Sequence, residues 1–376
     1  MGVYLKKYLL EIETLSPVFI GSGDSVGKKE YVYDRKNNRV LFLDMKKMFQ
    51  GLQQIRKLDA YEDYLLNDYK DLFFFFKDQG IIPKQYKEWL SYEVPLADAG
   101  LITKNTKNIL TCVKDPYGMA YVPGSSLKGA LRTILQSGYY LNDSEATSKM
   151  KNRILKAEPD TKKRYLNNED RQMDVESMHR PLFDEVKLQD QNNDTLRGLI
   201  VGDSEPLQKN SLCVVQKVDV TVDGIQKPFP LLRECIAPGS IIRFPITIDR
   251  QVCDLKAKDI VEAIKVFYEN YYKEFMHAFH VTSDLPKQSP VFFLGGGAGY
   301  TSKTCTYAVI HGKEGIKAVS RIIDQTLPFK VKKMHGHHKD ASLGASPHML
   351  KCTKHQGKLK QMGACKVNRL IFIKEQ

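Results

Sequence analysis

The stretch Tyr121-Val-Pro-Gly-Ser-Ser-Leu-Lys-Gly-Ala-Leu-Arg132 combines a short extended run, a Pro-Gly-Ser-Ser turn and the start of a helix. Beyond the turn, Leu127, Leu131 and Ile134 recur at helical spacing, so one face of the helix is apolar and packs inward. The stretch therefore predicts an extended segment followed by an amphipathic helix, an alternation that is typical of proteins that mix helices with sheets.

The start of this helix permits two interpretations. Ser125 or Ser126 is a suitable N-cap, because a serine hydroxyl accepts hydrogen bonds from the free N–H groups of the first turn. Lys128, however, opposes the helix dipole, which already makes that end positive. Backbone N–H groups, hydroxyls and a lysine together suit a phosphate, and Arg132 follows one turn later. A capped helix and an anion site are both open at this point.

The charge of the chain favours a polyanionic partner. Its 376 residues include 57 Lys and Arg against 44 Asp and Glu, which gives a formal net charge of +13 and a pI near 9.2. Between residues 330 and 376 there are eleven Lys and Arg against two acidic residues, so nine of the thirteen net charges lie in that segment. Such an excess is more typical of nucleic-acid binding than of membrane binding.

Cysteine usage and hydropathy indicate the compartment. The seven cysteines are odd in number and scattered, which indicates a reducing cytosol rather than a disulfide framework. No apolar run approaches the roughly 20 residues that span a bilayer. Glu11 and Glu13 interrupt the apolar stretch at the N-terminus, which lacks the design of a signal peptide. We therefore expect a cytoplasmic protein with no membrane partner.

Strands and helices alternate along the chain. The predicted elements are an opening strand within 3–20, a hairpin of Glu30–Val32 and Val40–Leu43, a helix from Asp44 to roughly Leu58, further helix with an aromatic stripe at 59–92, a strand at Leu199–Ser204, a hairpin that turns at Asp223-Gly224, a strand at Ile241–Ile248, a helix at Leu255–His280 and a last strand at Leu370–Ile373. The aromatic stripe is more typical of a core or a subunit contact than of a cofactor site. This order suits an α+β fold with antiparallel sheets, such as ferredoxin-like units.

Two glycine-rich segments are candidate binding loops. Gly21-Ser-Gly-Asp-Ser-Val-Gly27 is predicted to be a flexible loop, and with no helix directly after it the spacing fails the dinucleotide fingerprint. Leu294-Gly-Gly-Gly-Ala-Gly-Tyr300 is not a P-loop, because Tyr300 stands where a lysine should follow glycine. Its backbone N–H groups can approach a ligand closely. A tight turn between a helix and a strand is the alternative.

In combination, these stretches resemble the RAMP superfamily of CRISPR effector subunits. Pro17-Val-Phe-Ile-Gly-Ser-Gly23, Tyr121–Arg132 and Gly295-Gly-Gly-Ala-Gly299 carry the resemblance. Leu199–Ser204, with a hairpin that returns through Leu232-Arg-Glu to Pro238-Gly-Ser240, resembles the thumb of the backbone subunits in that superfamily.

The carboxy-terminal part narrows the resemblance within the superfamily. The chain length, the second glycine-rich segment and the tail with Ser346-Pro347, Lys351-Cys-Thr353 and Met362-Gly363 are most similar to one subunit of the type III-A (Csm) complexes. That subunit caps the complex near the 3′ end of the CRISPR RNA.

The resemblance implies an α+β fold with two ferredoxin-like (RRM-related) domains, a β-hairpin thumb and inserted helical segments. The expected domains are residues 1–248, with a thumb at about 205–240 and a variable insertion at about 141–195, and residues 249–376, with the second glycine-rich segment and a basic tail.

The resemblance also implies a non-catalytic role. The chain is expected to be an RNA-binding subunit of a type III-A interference complex, with CRISPR RNA, target RNA and the other Csm subunits as partners and with no cofactor. In such complexes the target-RNA nuclease is the repeated backbone subunit, which uses an aspartate of its amino-terminal loop. Asp24 lies in the comparable loop here, but no catalytic role is transferred to it.

The residues expected to bind RNA lie in three places. A phosphate-tracking floor is formed by Gly21, Ser22, Gly23, Ser125, Ser126 and Lys128, with Arg132 at its edge. The thumb contributes Lys217 and Arg233, with Ile225, Pro228 and Phe229 as an apolar tip that wedges between bases. The second glycine-rich segment contributes Gly295, Gly296, Gly297 and Gly299.

Three rival interpretations stay open. The first is a metal site. We predict no metal, because no two-pair zinc pattern is present. The candidate ligands lie within 21 residues, with ligand-like spacing in Cys352-x-x-His355, and are His335, His337, His338, His348, Cys352 and His355. The second is an RNA-processing endoribonuclease that uses His179 near Arg180 and Asp184, or His277 and His280. The third is a stand-alone RNA-binding protein.

Overall fold

A computed structural model describes residues 4–98, 108–157, 167–182, 186–280, 285–287 and 289–375. The strands are β1 (Leu5–Thr14), β2 (Gly21–Val26), β3 (Tyr31–Asp34), β4 (Arg39–Leu43), β5 (Leu90–Ala97), β6 (Ile109–Cys112), β7 (Leu199–Val201), β8 (Leu212–Thr221), β9 (Gln226–Ile236), β10 (Ile241–Asp249), β11 (Val291–Phe293), β12 (Met349–His355), β13 (Lys358–Gln361) and β14 (Ala364–Glu375).

The helices fall between these strands. They are α1 (Met45–Gln54), α2 (Leu58–Asn67), α3 (Leu72–Asp78), α4 (Pro83–Tyr86), α5 (Gly124–Asn142), α6 (Ser144–Lys156), α7 (Asn167–Met178), α8 (Ala257–Glu274), α9 (Thr306–Val309), α10 (Gly312–Thr326), α11 (Phe329–His335) and α12 (Asp340–Leu343). None of the helices in the described ranges is long and apolar enough to cross a membrane.

The first sheet is antiparallel and has five strands in the order β11-β14-β1-β10-β7. β1 lies at its centre, with β10 on one side and β14 on the other. Alternate residues of β1, such as Leu10 and Ile12, are fully buried and share one apolar cluster with Leu127 of α5 and Ile264 of α8. The sheet and these two amphipathic helices therefore form the principal core, as expected for an α+β fold.

The second sheet has nine strands. Seven follow the order β2-β6-β9-β8-β5-β4-β3, and β12 pairs with β8 and β13. The hairpin predicted to turn at Asp223-Gly224 is confirmed as β8 and β9, with Gly224 at a φ of +83°. β8 and β9 are inner strands of this sheet, because β9 also pairs with β6 and β8 also pairs with β5 and β12.

The predicted loop at Gly21–Gly27 is wrong in one respect, because most of it is strand β2. β2 pairs with β6 through Gly21↔Cys112 and Ser25↔Leu110, and the intervening residues form a bulge. Glycine and serine are weak strand formers, so the pattern alone favoured a loop. Pairing with β6, which is distant in sequence, overrides that local preference.

The aromatic stripe lies mostly in a core, as predicted. Tyr61, Tyr64, Phe75 and Phe76 belong to an apolar cluster between α1–α4 and the β3–β4 hairpin. Asp44, the predicted start of the first helix, is the N-cap of α1, since its carboxylate accepts a hydrogen bond from the Lys47 N–H at 3.1 Å.

Candidate nucleic-acid interface

The second glycine-rich segment packs directly against Phe19, in the segment between β1 and β2. The N–H of Gly296 donates to the carbonyl oxygen of Phe19 at 2.7 Å. A Cβ at Gly295 would lie 2.3 Å from that same oxygen, and Gly295 has a φ of +78°. Only glycine fits this turn, so the requirement at Gly295 is structural. The tight turn that the sequence offered as one alternative is present here, and close approach of a ligand to this segment stays a prediction.

Arg233 of β9 lies beside this turn, and none of the acidic residues in the described ranges forms an ion pair with it. Its guanidinium carbon is 5.4 Å from the centre of the Phe19 ring, and a Cβ on Gly297 would lie 2.6 Å from Nη1. Its Nε is buried without a hydrogen-bond partner, and burial lowers the pKa of the guanidinium. The adjacent Glu234 does not compensate this charge, because its carboxylate binds Lys114 at 2.6 Å.

Gly21, Ser22 and Gly23 form an exposed bulge at the edge of the second sheet. The Ser22 hydroxyl lies 2.7 Å from the hydroxyl oxygen of Thr111 on β6, which fixes the bulge. Gly23 has a φ of +95° and no atom within 4 Å of an added Cβ. These three residues follow Phe19 within four positions, so the bulge continues the surface on which Arg233 lies.

Lys217 and Lys351 share a single carboxylate. Their Nζ atoms lie 3.2 Å and 3.1 Å from the same oxygen of Asp219, which is buried. The Lys217 Nζ also lies 4.2 Å from the centre of the ring of Phe229. Burial lowers the pKa of Lys351, whose Cγ would lie 3.4 Å from a Cβ on Gly299. Two cations against one anion leave a local positive excess.

These contacts form a continuous surface, here called the basic track. It consists of Phe19, Gly21–Gly23, Lys217, Arg233, Gly295–Gly299 and Lys351. Sequence patterns found the glycines, Lys217 and Arg233. They missed two residues: Phe19, whose ring lies against Arg233, and Lys351, which lies beside Gly299. The sequence signal for these two was their position inside the quoted stretches at residues 17–23 and 351–353.

The start of α5 differs from the prediction. The helix begins at Gly124, and neither serine caps it. The carboxylate of Asp203 accepts a hydrogen bond from the Gly124 N–H at 2.8 Å instead. The capping prediction is therefore wrong, because an acid 79 residues away in sequence takes that role. Ser125 is exposed and Ser126 is half-buried, so both can still donate to a ligand.

The two basic residues of α5 lie beside acids. Arg132 forms a bidentate ion pair with Asp174 of α7, at 2.7 Å for both bonds, and a further bond of 2.8 Å with Asp194. Lys128 is half-buried near Asp194, and burial lowers its pKa. Two carboxylates match the charge of Arg132 in the chain by itself, and its predicted phosphate contact stays a prediction. RNA binding by Ser125, Ser126 and Lys128 stays a prediction.

The histidine-rich segment brings three candidate ligands together. His337, Asp340 and His348 are buried, with one ligand atom of each within 4.8 Å of the others. Each Nδ1 faces a different oxygen of Asp340, at 3.0 Å for His337 and 2.5 Å for His348. The Ser346 hydroxyl donates to that carboxylate at 2.7 Å. Three hydrogen bonds satisfy the carboxylate without an ion.

The spacing Cys352-x-x-His355 does not form a chelating pair. Both residues belong to β12, where positions three apart point to opposite faces of the sheet. Burial raises the pKa of Cys352 to about 12, which disfavours the thiolate that a metal requires.

The histidine proposed for nuclease chemistry is buried in the insertion. The Nδ1 of His179 lies 2.9 Å from the carbonyl oxygen of Leu188, and its Nε2 lies 3.6 Å from Asp174. Asp184, its suggested partner, lies outside the described residues. His277 and His280 are exposed near the end of α8. This geometry offers a packed histidine rather than an open acid–base site.

The chain is similar in sequence to proteins of one family. The model of the RAMP superfamily matches residues 11–300. The protein named CRISPR system Cms protein Csm5 from Mycobacterium tuberculosis is 27% identical, over 98% of this chain and 99% of the relative. The protein of the same name from Enterococcus italicus is 26% identical, over 80% of each chain.

Solved structures show the same fold. A chain in the cryo-EM structure of a Csm–crRNA–target RNA ternary complex of a type III-A CRISPR-Cas system superposes with a TM-score of 0.65 at 17% identity, covering 96% of this chain and 100% of that one. The crystal structure of T. onnurineus Csm5 gives a TM-score of 0.59 at 18% identity, with 95% and 99% covered. With the family model matched over residues 11–300 of 376, the chain is a member of the RAMP superfamily.

Proposed function

We propose that this chain is a non-catalytic RNA-binding subunit of a type III-A CRISPR interference complex, where it binds the 3′ region of the CRISPR RNA and helps to hold the guide–target RNA duplex. Its partners are CRISPR RNA, target RNA and the other Csm subunits. The relatives named Csm5 and the likeness to a chain of a Csm–crRNA–target RNA complex support this assignment. The observation that carries it is Arg233, a partly buried cation whose Nε has no hydrogen-bond partner among the described residues.

Arg233 is suited to a phosphate for two reasons. A guanidinium that is partly buried without hydrogen bonds carries a desolvation cost, which an anion offsets through charge-assisted bonds. Gly23 lies on the same surface and has open space where a side chain would stand, so an RNA backbone can come close there. Contacts of this kind position RNA without recognising its sequence. Sequence specificity then comes from base pairing between guide and target.

The tip of the β8–β9 hairpin supplies the apolar wedge of this proposal. Ile225 is 59% exposed and Phe229 is 39% exposed, although both are large and apolar. Inserting them between two bases costs a few kcal/mol of unstacking per step. Contacts to the splayed strand by neighbouring residues such as Lys217 offset that cost.

We also propose that the first sheet and its helices form a ferredoxin-like unit. The order along the chain is β1, α5, β7, β10, α8 and β14, and the four strands lie as β14-β1-β10-β7 in one antiparallel sheet. This is the β-α-β-β-α-β arrangement of that unit. A second such unit within 249–376 stays a prediction.

Substitution of Arg233 tests the RNA-binding role. In the full-length protein, Arg233→Ala should weaken binding of a fluorescently labelled single-stranded RNA for several unrelated sequences. It should also reduce the salt dependence by about one phosphate contact. Lys46→Ala, at an exposed position of α1, is the matched control and should leave both unchanged. Equal affinity and slope for Arg233→Ala and the native chain, with the fold retained, would refute the proposal.

The same mixtures distinguish the rival functions. RNA recovered after incubation with or without divalent metal should be intact, because the proposed role has no cleavage step. Cleavage abolished by substituting His179 or His277 would favour an endoribonuclease. Expression together with sibling Csm subunits should yield a co-purifying complex that contains a short RNA. A chain that stays monomeric and binds RNA without them would favour the stand-alone protein.

A further inference from the structure

Helix α11 presents large apolar and basic side chains to solvent. Phe329 is 80% exposed and Met334 is 76% exposed, and the helix has no buried residue. Lys330 and Lys333 are exposed too, and neither forms an ion pair with any residue in the described ranges. Lys332 differs, since it binds Asp324 at 2.7 Å. The surface therefore combines an aromatic ring with uncompensated positive charge.

The helix is fixed at both ends, so this surface is presented in one orientation. Pro328 precedes its first turn, and Gly336 closes it with a φ of +64°, where the Gly336 N–H donates to the Lys332 carbonyl oxygen at 3.0 Å. The ring of His335 stacks on that of His337 at 5.6 Å, and Asp340 in turn holds His337. Exposure of Phe329 is thus a property of an anchored helix rather than of a free tail.

The helix is connected to the basic track through packed side chains. His337 lies against His348, with ring centres 5.2 Å apart, and His348 immediately precedes β12. β12 carries Lys351 of the track and pairs with β8 through Lys351↔Asp219. Burial lowers the pKa of His335, and the charges of His337, Lys351 and Lys217 lower it further, so the two lysines of the track lie near this ring. One end of α11 therefore lies beside the track.

We propose that α11 is an additional binding site for single-stranded RNA that extends the basic track, with a base stacked on Phe329 and phosphates bound by Lys330 and Lys333. Aromatic stacking combined with lysine contacts to the backbone is how proteins hold single strands without sequence preference. The occupant is a polyanion rather than a protein surface, because nine of the thirteen net positive charges lie between residues 330 and 376. The inference rests on the proposed function, because it continues the same RNA path.

The test uses the full-length protein and two labelled oligouridylates of different length. One is about eight nucleotides, near the lower range of site sizes for single-strand binding folds, and the other is about sixteen. Phe329→Ala should weaken binding of the longer RNA by about tenfold, within the range measured for loss of one stacking contact, and should leave the shorter RNA unaffected. Lys330→Ala/Lys333→Ala should reduce the salt slope for the longer RNA by about 1.4.

A direct readout supports the affinity measurements. Photocrosslinking of the longer RNA that carries 4-thiouridine should attach a nucleotide to the peptide that contains Phe329. Lys313→Ala/Lys317→Ala, at two exposed positions of the neighbouring α10, is the matched control and should leave affinity, slope and crosslink unchanged. All substituted side chains are exposed, so the fold should be retained, which circular dichroism checks.

The outcomes separate this inference from the function on which it rests. If Arg233→Ala weakens both RNAs while the α11 variants bind like the native chain, α11 is not an RNA site and the proposed function stands. If no variant alters binding, both fail. If the α11 variants retain RNA affinity but lose a co-purifying Csm subunit, the surface docks a protein and the inference is overturned.

Discussion

Gly124 and Gly129 lie in the same helix, α5, but their surroundings differ. A Cβ on Gly124 would lie 2.2 Å from the carbonyl oxygen of Val201, whereas a Cβ on Gly129 would meet no atom within 4 Å. The first glycine allows α5 to approach β7 closely, and the second is exposed to solvent. Both belong to the same stretch of sequence, which does not reveal which of them the fold requires.

Alanine substitutions at these two glycines should have opposite effects. Gly124→Ala should lower the free energy of unfolding by about 1–3 kcal/mol, because the added methyl group forces the helix away from the backbone of β7. Gly129→Ala should raise it by up to about 1 kcal/mol, because alanine is the better helix former at an open position. Urea denaturation followed by circular dichroism measures both. A neutral Gly124→Ala would contradict the close approach.

Asp340 links acid stability to the buried histidines. Burial alone would raise the pKa of its carboxyl, but hydrogen bonds from His337, His348 and Ser346 outweigh it and lower the pKa below the ordinary 3.8. A carboxyl with a lower pKa in the folded state stabilises the fold above the unfolded pKa. That stabilisation is lost as the pH falls through the folded pKa.

Asp340→Asn should therefore be less stable than the native chain at neutral pH, by about 1–3 kcal/mol, the usual cost of leaving buried donors without an acceptor. The difference should begin to shrink below about pH 4, where the carboxyl of the unfolded chain takes up a proton, and should be lost as the pH falls through the lower folded pKa. Thermal unfolding at a series of pH values measures it. Native protein treated with a chelator is the control: destabilisation by the chelator, with stoichiometric zinc in untreated protein, would show that a metal rather than hydrogen bonds holds this cluster.

At the scale of elements, Arg132 is one of several α5 residues that bond to the inserted helix α7, together with Gln136 and Tyr140. Arg132 bonds to Asp174 on α7 and to Asp194 beyond it, and these bonds raise the pKa of the guanidinium against the effect of burial. The sequence placed Arg132 on the basic edge of the helix, which is correct. The sequence could not show that two acids from the insertion at about 141–195 form ion pairs with Arg132, because this pairing depends on how the insertion packs against α5.

Arg132→Ala should reduce stability more than RNA affinity. Loss of a charge-assisted, bidentate contact that leaves two partly buried acids without their cation should cost about 1.5–3 kcal/mol in the free energy of unfolding. The salt slope of RNA binding should be unchanged in the folded variant. Arg132→Lys retains the charge but not the forked geometry, so it should recover only part of the stability. A slope reduced by about one contact at native stability would restore the phosphate role.

Local sequence patterns have the same limit at β2 and at the start of α5. Periodicity identified the β8–β9 hairpin, β10 and α8, because each has a local pattern. It assigned β2 to a loop and the cap of α5 to its own serines. In both cases the deciding partner, β6 or Asp203, lies 79 or more residues away. Local patterns hold no information about such contacts, so the basic track could be predicted as separate pieces but not as one surface.

At the scale of the whole molecule, the first sheet combines strands from both sides of the expected domain boundary at residue 248. β1 and β10 come from before it, and β11 and β14 come from after it. β14 pairs with β1 from Lys6 to Thr14, and Cys365 and Val367 share the principal core cluster with Leu10 and Ile12. The two expected domains therefore share a core, although each has its own glycine-rich segment.

This shared sheet predicts how the chain unfolds. Removal of residues 249–376 would expose one edge of β1 and the apolar face that α8 covers, so residues 1–248 alone should lack native tertiary structure. The intact chain should lose both sheets in one cooperative transition, because neither can retain its core without the other part. Urea denaturation followed by near-ultraviolet and far-ultraviolet circular dichroism should then give coincident curves. Two separated transitions, or a folded 1–248 fragment with cooperative unfolding of its own, would instead support independent domains.

The same result bears on RNA binding, because the basic track takes Phe19 and Arg233 from one side of residue 248 and Gly295–Gly299 and Lys351 from the other. If the chain unfolds as one unit, the two halves of that track are held in register by the β1–β14 pairing, and a fragment of either half should bind RNA more weakly than the intact chain.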